Sequence, residues 1–380
     1  MDITITKQCL AAALLKTSTI ADKKSSMQIL SNVLIDAGSP GRVRIAATDL
    51  NLSASGVFPA DITESGAITV PAKTLHDVVR SMSDGPIRLE THGDQVRISG
   101  GRTHFKLLCL PAEDFPVLPS TEGIEFFDMD AGLVKRMIEQ TSFSISSDET
   151  RAHINGALFQ GDGKNIRMVT TDGHRLSKVE VRIDESGFYN FSMIVPNKAI
   201  SEIRRLVEDG EGIVSIAVHA GSVFLRRETV AEKELDGTKP LVAEITLVSK
   251  LIDAEFPPYD QVIPSASERQ VILSRPDFLD ALKRVSIVSP NQNPGVKFLL
   301  ADGKLEIATS NPSVGEGSEQ IDVHYEGSDL TIGFNAKYFI DILNVLPDEE
   351  VKVGLSGPLD PVTIKDTSNS FVGVVMPMRV

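Results

Sequence analysis

One order of helices and strands recurs three times along the 380 residues, and this repeat constrains the fold more than any other feature of the chain. In the first copy, Leu10, Leu14 and Leu15 predict an apolar stripe on a helix over 7–20. Ile29–Ala37 and Arg42–Thr48 then read as a hairpin turning at Gly38, Pro40 and Gly41, with Val43, Ile45 and Ala47 alternating inward. A second helix follows Val70-Pro71 and buries Leu75, Val78, Val79 and Met82, since a proline costs least in a helix's first turn. Strands over 87–91, 95–99 and 104–110 close the unit. The same order returns with helices 131–145 and 197–208, a hairpin over 154–170 around Gly161-Asp162-Gly163, and strands near 213–227 and 244–252. It returns again with helices 275–288 and 335–346, a hairpin at Asp302-Gly303, and strands near 350–356, 361–366 and 370–376.

Two landmarks test the repeat. The strand end Ala47-Thr48-Asp49 matches Thr170-Thr171-Asp172 and Thr309-Ser310-Asn311, and Lys73 matches Lys198 and Lys337. The first spacing is 123 for the strand end and 125 for the lysine (170 − 47 and 198 − 73), and the second is 139 for both (309 − 170 and 337 − 198). The longer second spacing traces to the polar segment Glu228–Pro240, which reads as a surface loop insertion in the second unit. The domains expected are 1–122, 123–266 (with the insertion at 228–240) and 267–380. The fold class is α+β: three tandem units, each of two helices packed on antiparallel sheets.

Composition excludes several classes. Hydrophobic residues are 41% and charged residues 24%, ordinary for a globular protein. No apolar run approaches a membrane span and the N-terminus lacks a signal-peptide pattern, so a cytoplasmic location is expected. Cys9 and Cys109 are too few for a disulfide framework and read as reduced thiols, with no cofactor or metal expected. The net charge of −14 argues against a polyanion partner until the charges are placed. The six helix windows hold 13 Lys or Arg against 7 Asp or Glu, so the helices carry +6 and everything else −20 (−14 − 6). On the second helices a polar stripe away from the apolar face holds Lys73, Asp77 and Arg80, then Lys198, Glu202 and Arg205, then Lys337, Asp341 and Asn344. The bland alternative is a solvated face with i, i+4 pairs such as Lys73 with Asp77. Six such helices on one surface instead give a net-acidic protein a basic track for phosphates. Too little Arg, Asn and Gln lies there to read bases, so contact with phosphates is expected to be independent of sequence and sensitive to salt.

Over essentially its full length the chain resembles the bacterial sliding-clamp family, the β subunits of DNA polymerase III. The motifs that carry the resemblance are Arg151–Gly156 (RAHING), Thr171–Leu176 (TDGHRL), Ser249–Pro257 (SKLIDAEFP), Gly333-Phe334-Asn335 and Val374–Arg379 (VVMPMR). It implies a head-to-tail homodimer forming a six-domain ring, with twelve helices inside and sheets outside. Twelve helices spaced about 9 to 10 Å apart leave a hole of roughly 25 Å, enough for a duplex with water around it. The DNA-binding residues implied are Lys24, Lys73, Arg80, Lys135, Lys198, Arg205 and Lys337.

The resemblance also implies a peptide pocket for the polymerase III catalytic subunit, the clamp loader, repair polymerases and mismatch-repair proteins. Its deeper part would be Ile154, Thr171, Gly173, His174, Arg175, Leu176, Pro257, Val262, Val374 and Met376. A shallower part would use Arg151, Asn335, Tyr338, Leu359, Pro361, Pro377 and Met378. Flexible methionines and aliphatic groups suit a pocket that accepts several related peptides. The subunit interface would set Phe105 and Leu107 against Ile287 and Val288, with Arg102 facing Glu316 or Glu319. Ala152, Gln261, Leu359 and Pro361 depart from the family pattern. Within the resemblance the chain is either the main clamp or a second, inhibitor-resistant copy.

Two rivals remain. Thr171–Arg175 gathers an acid, a base and a cation, but no P-loop, GxSxG or HExxH accompanies them, and the chain reads as non-catalytic. A repeat scaffold that binds only proteins would leave the charge segregation without a purpose.

Overall fold

The computed structural model describes residues 1–22, 25–183, 189–232, 241–289, 294–325 and 327–379. Among the described residues six α-helices lie at the expected places: α1 Lys7–Thr17, α2 Ala72–Ser81, α3 Ala131–Thr141, α4 Asn197–Leu206, α5 Arg275–Val285 and α6 Ala336–Val345. Each is shorter than its periodicity suggests. After α3 and α5 the chain tightens into one-turn 3-10 segments, Ser142–Ser144 and Ser286–Val288, whose side chains prolong the apolar pattern without prolonging the α-helix. On α1 the buried stripe is Leu10, Ala13, Leu14 and Thr17, at i, i+3, i+4 and i+7. Leu15 points outward and is 57% exposed, which corrects its place in the stripe. The expected strand over 29–37 begins only at Asn32, because Gln28–Ser31 form a 3-10 turn that buries Ile29 and Leu30.

The chain divides into two compact units, 1–134 with 201–251, and 135–200 with 252–380. In the first, a five-stranded antiparallel sheet runs Asp61–Glu64, Asp2–Thr6, Pro86–His92, Gln95–Gly100 and Thr103–Leu108. A nine-stranded sheet has Leu52–Pro59 paired antiparallel with Leu241–Lys250 near its middle. Helix α1 packs on α2 and on strands Leu52–Pro59 and Ser222–Glu232. In the second unit an eight-stranded sheet pairs Arg175–Arg182 with Phe371–Val375, and a four-stranded sheet ends at edge strand Gly315–Asp322. Under α5 and α6, Phe278, Phe298, Phe334 and Phe339 pack mostly edge to face, with ring centres 5.0 to 6.0 Å apart.

The expected loop over Glu228–Pro240 is partly strand. Ser222–Glu232 pairs with Leu241–Lys250 through Glu232, and only 233–240 lie outside the described residues. A ladder made of backbone hydrogen bonds is not stopped by polar side chains.

The strand-end landmark is a hydrogen-bonded turn. Thr48 Oγ1 donates to the Leu52 carbonyl (3.1 Å) and accepts from Leu50 N–H (3.0 Å), while Asp49 Oδ1 accepts from Asn51 and Leu52 N–H. Thr171 and Asp172 repeat each bond, with Thr171 Oγ1 donating to Arg175 and accepting from Gly173, and Asp172 Oδ1 accepting from His174 and Arg175. The residue after the aspartate is left-handed in both, Leu50 at φ +77° and Gly173 at φ +91°. Pro312 holds that place in the third copy. Its ring forbids positive φ, so the bonding there differs: Asn311 Oδ1 accepts only from Ser313 N–H, and Ser310 Oγ turns to Glu316.

Candidate functional site

The second of these turns builds the centre of the candidate pocket. Its hydrogen bonds aim Arg175 inward, where the guanidinium meets three acceptors: Nε with Asp172 Oδ2 (3.0 Å), Nη1 with Asp341 Oδ2 (2.6 Å) and Nη2 with the Phe143 carbonyl (2.5 Å). Its planar face lies 4.6 Å from the Tyr338 ring centre and 5.4 Å from that of Phe143. Arg175 is therefore a buried strut against Tyr338, with each of its three nitrogens bonded to an acceptor inside the protein. Burial raises the Tyr338 phenol above its ordinary range, so it stays a neutral donor. The acid, base and cation of Thr171–Arg175 do not converge on one point, because Asp172 is consumed by the turn and His174 is exposed.

Beside this strut the C-terminal strand Phe371–Val375 pairs with Arg175–Arg182, and the chain beyond it is laced down by Met376 N–H to the His174 carbonyl (2.9 Å) and Met378 N–H to the Gly333 carbonyl (2.8 Å). The motifs around His174, Gly333 and Met376 are thus brought together. Val262, Met376 and Leu359 are exposed apolar groups, Leu359 to 81%, and Pro257, Pro361, Pro377 and Met378 are half-buried. Ile154, Leu176 and Val374 do not reach the surface. Val374 is 0% exposed and packs with Leu176 in a cluster of Leu158, Val169, Ile194 and Tyr259, so these residues back the pocket wall. Asn335 is occupied as the cap of α6, its Oδ1 accepting from Lys337 N–H (3.0 Å). Arg151 is held by Asp148 (3.0 Å) and Ser146 (3.2 Å) with its guanidinium against Gly173, where a Cβ would lie 3.2 Å from Nη1.

Three participants escaped sequence reasoning: Phe143, Asp172 and Asp341. Asp172 had a signal in its turn chemistry. Asp341 was masked, because its i, i+4 spacing to Lys337 explains it without any tertiary partner.

Of the helix residues, Lys73 and Arg80 on α2, Lys198 and Arg205 on α4 and Lys337 on α6 are exposed, and Lys135 on α3 is half-buried. Lys24 lies outside the described residues. No ion pair joins Lys73 to Asp77, whereas Lys337 does meet Asp341 (2.9 Å). Glu202 departs from the expected polar stripe: it is only 7% exposed, accepts from Thr19 Oγ1 (2.9 Å) and pairs with Arg205 (2.5 Å). Lys16 is also drawn inward, its Nζ donating to the Arg205 carbonyl (2.6 Å), and burial lowers its pKa. Within the observed helix bounds the basic count stays at 13 and the acidic count drops to 6, because Glu208 lies beyond α4.

Phe105 and Leu107 sit half-buried on edge strand Thr103–Leu108 of the five-stranded sheet. Ile287 is 79% exposed on the turn after α5, with Val288 half-buried beside it. Glu319 is already bound through both oxygens by Arg284 (2.5 and 2.8 Å), so the expected Arg102–Glu319 pair competes with a contact inside the chain. Among the described residues Glu316 accepts a single hydrogen bond, from the Ser310 hydroxyl (3.1 Å).

Repeated sheets, exposed apolar groups beside a pinned tail and a set of basic helices define a protein built to hold other macromolecules. Three family models match it end to end: the N-terminal, central and C-terminal domains of the DNA polymerase III beta subunit, over residues 1–119, 128–258 and 260–379. The beta sliding clamp of Pseudomonas putida is 33% identical over the whole of both chains. Among solved structures, the DNA polymerase III subunit beta of Pseudomonas aeruginosa, bound to griselimycin, superposes with a TM-score of 0.90 at 30% identity, and that of Bartonella birtlesii, also bound to griselimycin, with 0.89 at 34%, both over 100% of each chain. This chain belongs to the DNA polymerase III beta subunit family, the beta sliding clamps, which are processivity factors and not enzymes.

Proposed function

We propose that two copies of this chain close head to tail into a cytoplasmic ring of six repeats, 1–122, 123–266 and 267–380 in each copy. The ring slides on duplex DNA and tethers the polymerase III catalytic subunit, the clamp loader, and repair polymerases and mismatch-repair proteins. The observation that carries the ring is a strand joint used twice within the chain. The fourth hairpin strand of the first repeat, Leu52–Pro59, pairs with the last strand of the second, Leu241–Lys250. The fourth hairpin strand of the second repeat, Arg175–Arg182, pairs with the last strand of the third, Phe371–Val375. The third repeat's counterpart, Gly315–Asp322, is an edge, and so is the last long strand of the first repeat, Thr103–Leu108, which only the two-residue strand Leu110–Pro111 follows. The same joint between two copies removes both edges, which are otherwise templates for uncontrolled pairing.

Register follows from equivalence. Ala54 faces Leu247 and Ser177 faces Gly373, and the third-repeat match to these small residues is Gly317. Aligning the hairpins that precede the last strands sets Gly317 opposite the partner copy's Phe105 and Glu316 opposite its Lys106. A Cβ on Gly317 would come within 3.1 Å of the Val288 side chain, so this glycine lets Val288 pack against the edge strand, and the partner's aromatic ring would rest beside Val288 and Ile287. The flanking ion pair becomes Lys106 with Glu316.

The cleft around Tyr338, Leu359, Val262 and Met376 is proposed as the peptide site and as the place where griselimycin binds this chain. Lys24, Lys73, Arg80, Lys135, Lys198, Arg205 and Lys337 are proposed to face DNA. The test is topological. Clamp loaded on circular duplex stays bound through gel filtration and is lost once the circle is cut. Equal retention on both forms refutes the ring.

A further inference from the structure

We infer that Asp341 is a positioning residue for the peptide cleft and links its affinity to engagement of Lys337 on α6 by DNA. The inference rests on the peptide and DNA readings above and adds a connection between them.

A single oxygen is the basis. Asp341 Oδ2 accepts from Arg175 Nη1 at 2.6 Å and from Lys337 Nζ at 2.9 Å. The two cations differ in their surroundings: Arg175 is buried and stacked on Tyr338 in the cleft, whereas Lys337 stands in solvent on α6. One carboxylate oxygen shared between two cations gives each less than it would give one alone. A phosphate near α6 draws Lys337 away from Asp341, and Oδ2 is then left to Arg175. The strut tightens, Tyr338 is held more firmly, and a ligand entering the cleft loses less freedom on ordering that wall. Linkage makes the effect reciprocal, so an occupied cleft favours Lys337 facing DNA. Phe143 and Asp172 hold Nη2 and Nε of Arg175, so the change falls on the Nη1 side that meets Asp341.

The experiment measures griselimycin affinity by calorimetry on the whole protein, with and without a saturating short duplex at low salt. The duplex is expected to tighten binding about fivefold, the lower end of usual couplings because Lys337 is solvated. Lys337→Met should bind griselimycin at the tightened affinity from the start, with no further gain from duplex. Asp341→Asn should bind more weakly and be indifferent to duplex. In about 1 M salt the wild-type gain should vanish, since screening then acts within roughly 3 Å. An equal duplex effect in Lys337→Met overturns the proposal, as does an unchanged griselimycin affinity in Asp341→Asn. A wild type that binds no griselimycin defeats the cleft reading, and duplex binding unaffected by Lys337→Met defeats the helix-face reading; either takes this inference with it. Intact binding at both sites without coupling overturns this inference alone.

Discussion

Leu50 and Gly173 hold the same place in two copies of one turn, both left-handed, and only one of them suits it. A side chain in that region costs roughly 1–2 kcal/mol, partly offset by the entropy a glycine loses on folding. Leu50 is 46% exposed, so the packing it gives up offsets part of the relief, and Leu50→Gly should raise stability by no more than about 0.5 kcal/mol in urea unfolding. Gly173→Ala should do the reverse by about 1–2 kcal/mol. If the proposed cleft takes griselimycin, the same change should weaken that binding, because the new methyl crowds the Arg151 guanidinium at 3.2 Å. The pairing of Thr48-Asp49 with Thr171-Asp172 was legible from sequence because its bonds are local, spanning at most four residues. The acid limb of stability also has a residue-level source. The hydrogen bond from Arg88 holds the Asp2 carboxyl below its usual range (2.8 and 2.6 Å). A lowered folded pKa contributes stability that is complete above the unfolded value of about 3.9 and lost as pH falls through the folded value. Asp2→Asn should therefore flatten part of the fall in Tm below about pH 4.

At the scale of elements, helix starts were legible and helix ends were not. Pro71 and the lysines two residues into α2, α4 and α6 mark the starts through local chemistry. The ends of α3 and α5 are set where the chain tightens into a 3-10 turn, which leaves the apolar pattern running on. Pairing between repeats was invisible for a different reason, since a strand carries no mark of its long-range neighbour. The same holds for Arg175, whose partners at Phe143 and Asp341 are 32 and 166 residues away. Once the two internal joints are seen, the missing third becomes a prediction with a register. Lys106→Glu should shift the ring toward monomers in analytical ultracentrifugation, through like charges facing across the joint. Adding Glu316→Lys should restore the dimer. If Arg102 were the essential partner of Glu316, the double swap would not recover it, and a monomeric double variant would reject the register.

For the whole molecule the decisive quantity is the placement of charge against a total of −14. A chain of that charge holds a polyanion only if its cations are gathered and its anions kept away. The helices meet the first condition with 13 basic residues against 6 acidic ones, two of the latter being turned to internal duties: Glu202 anchors Arg205, and Asp341 is shared by Arg175 and Lys337. Removing Lys73 and Arg80 together, each present twice in a two-copy ring, takes away at most four phosphate contacts. Each contact made directly would contribute roughly 0.9 to the slope of log affinity against log salt, so full contact would lower that slope by about 3.6. A ring that slides cannot hold all of them at once, since fixed contacts would pin it, and water between helix and phosphate keeps them brief. The double variant Lys73→Ala with Arg80→Ala should therefore lower the slope by well under about 3.6, and by the same amount on duplexes of unrelated sequence. A loss that depends on sequence would mean that the helices read bases, and an unchanged slope would mean that α2 faces away from the DNA.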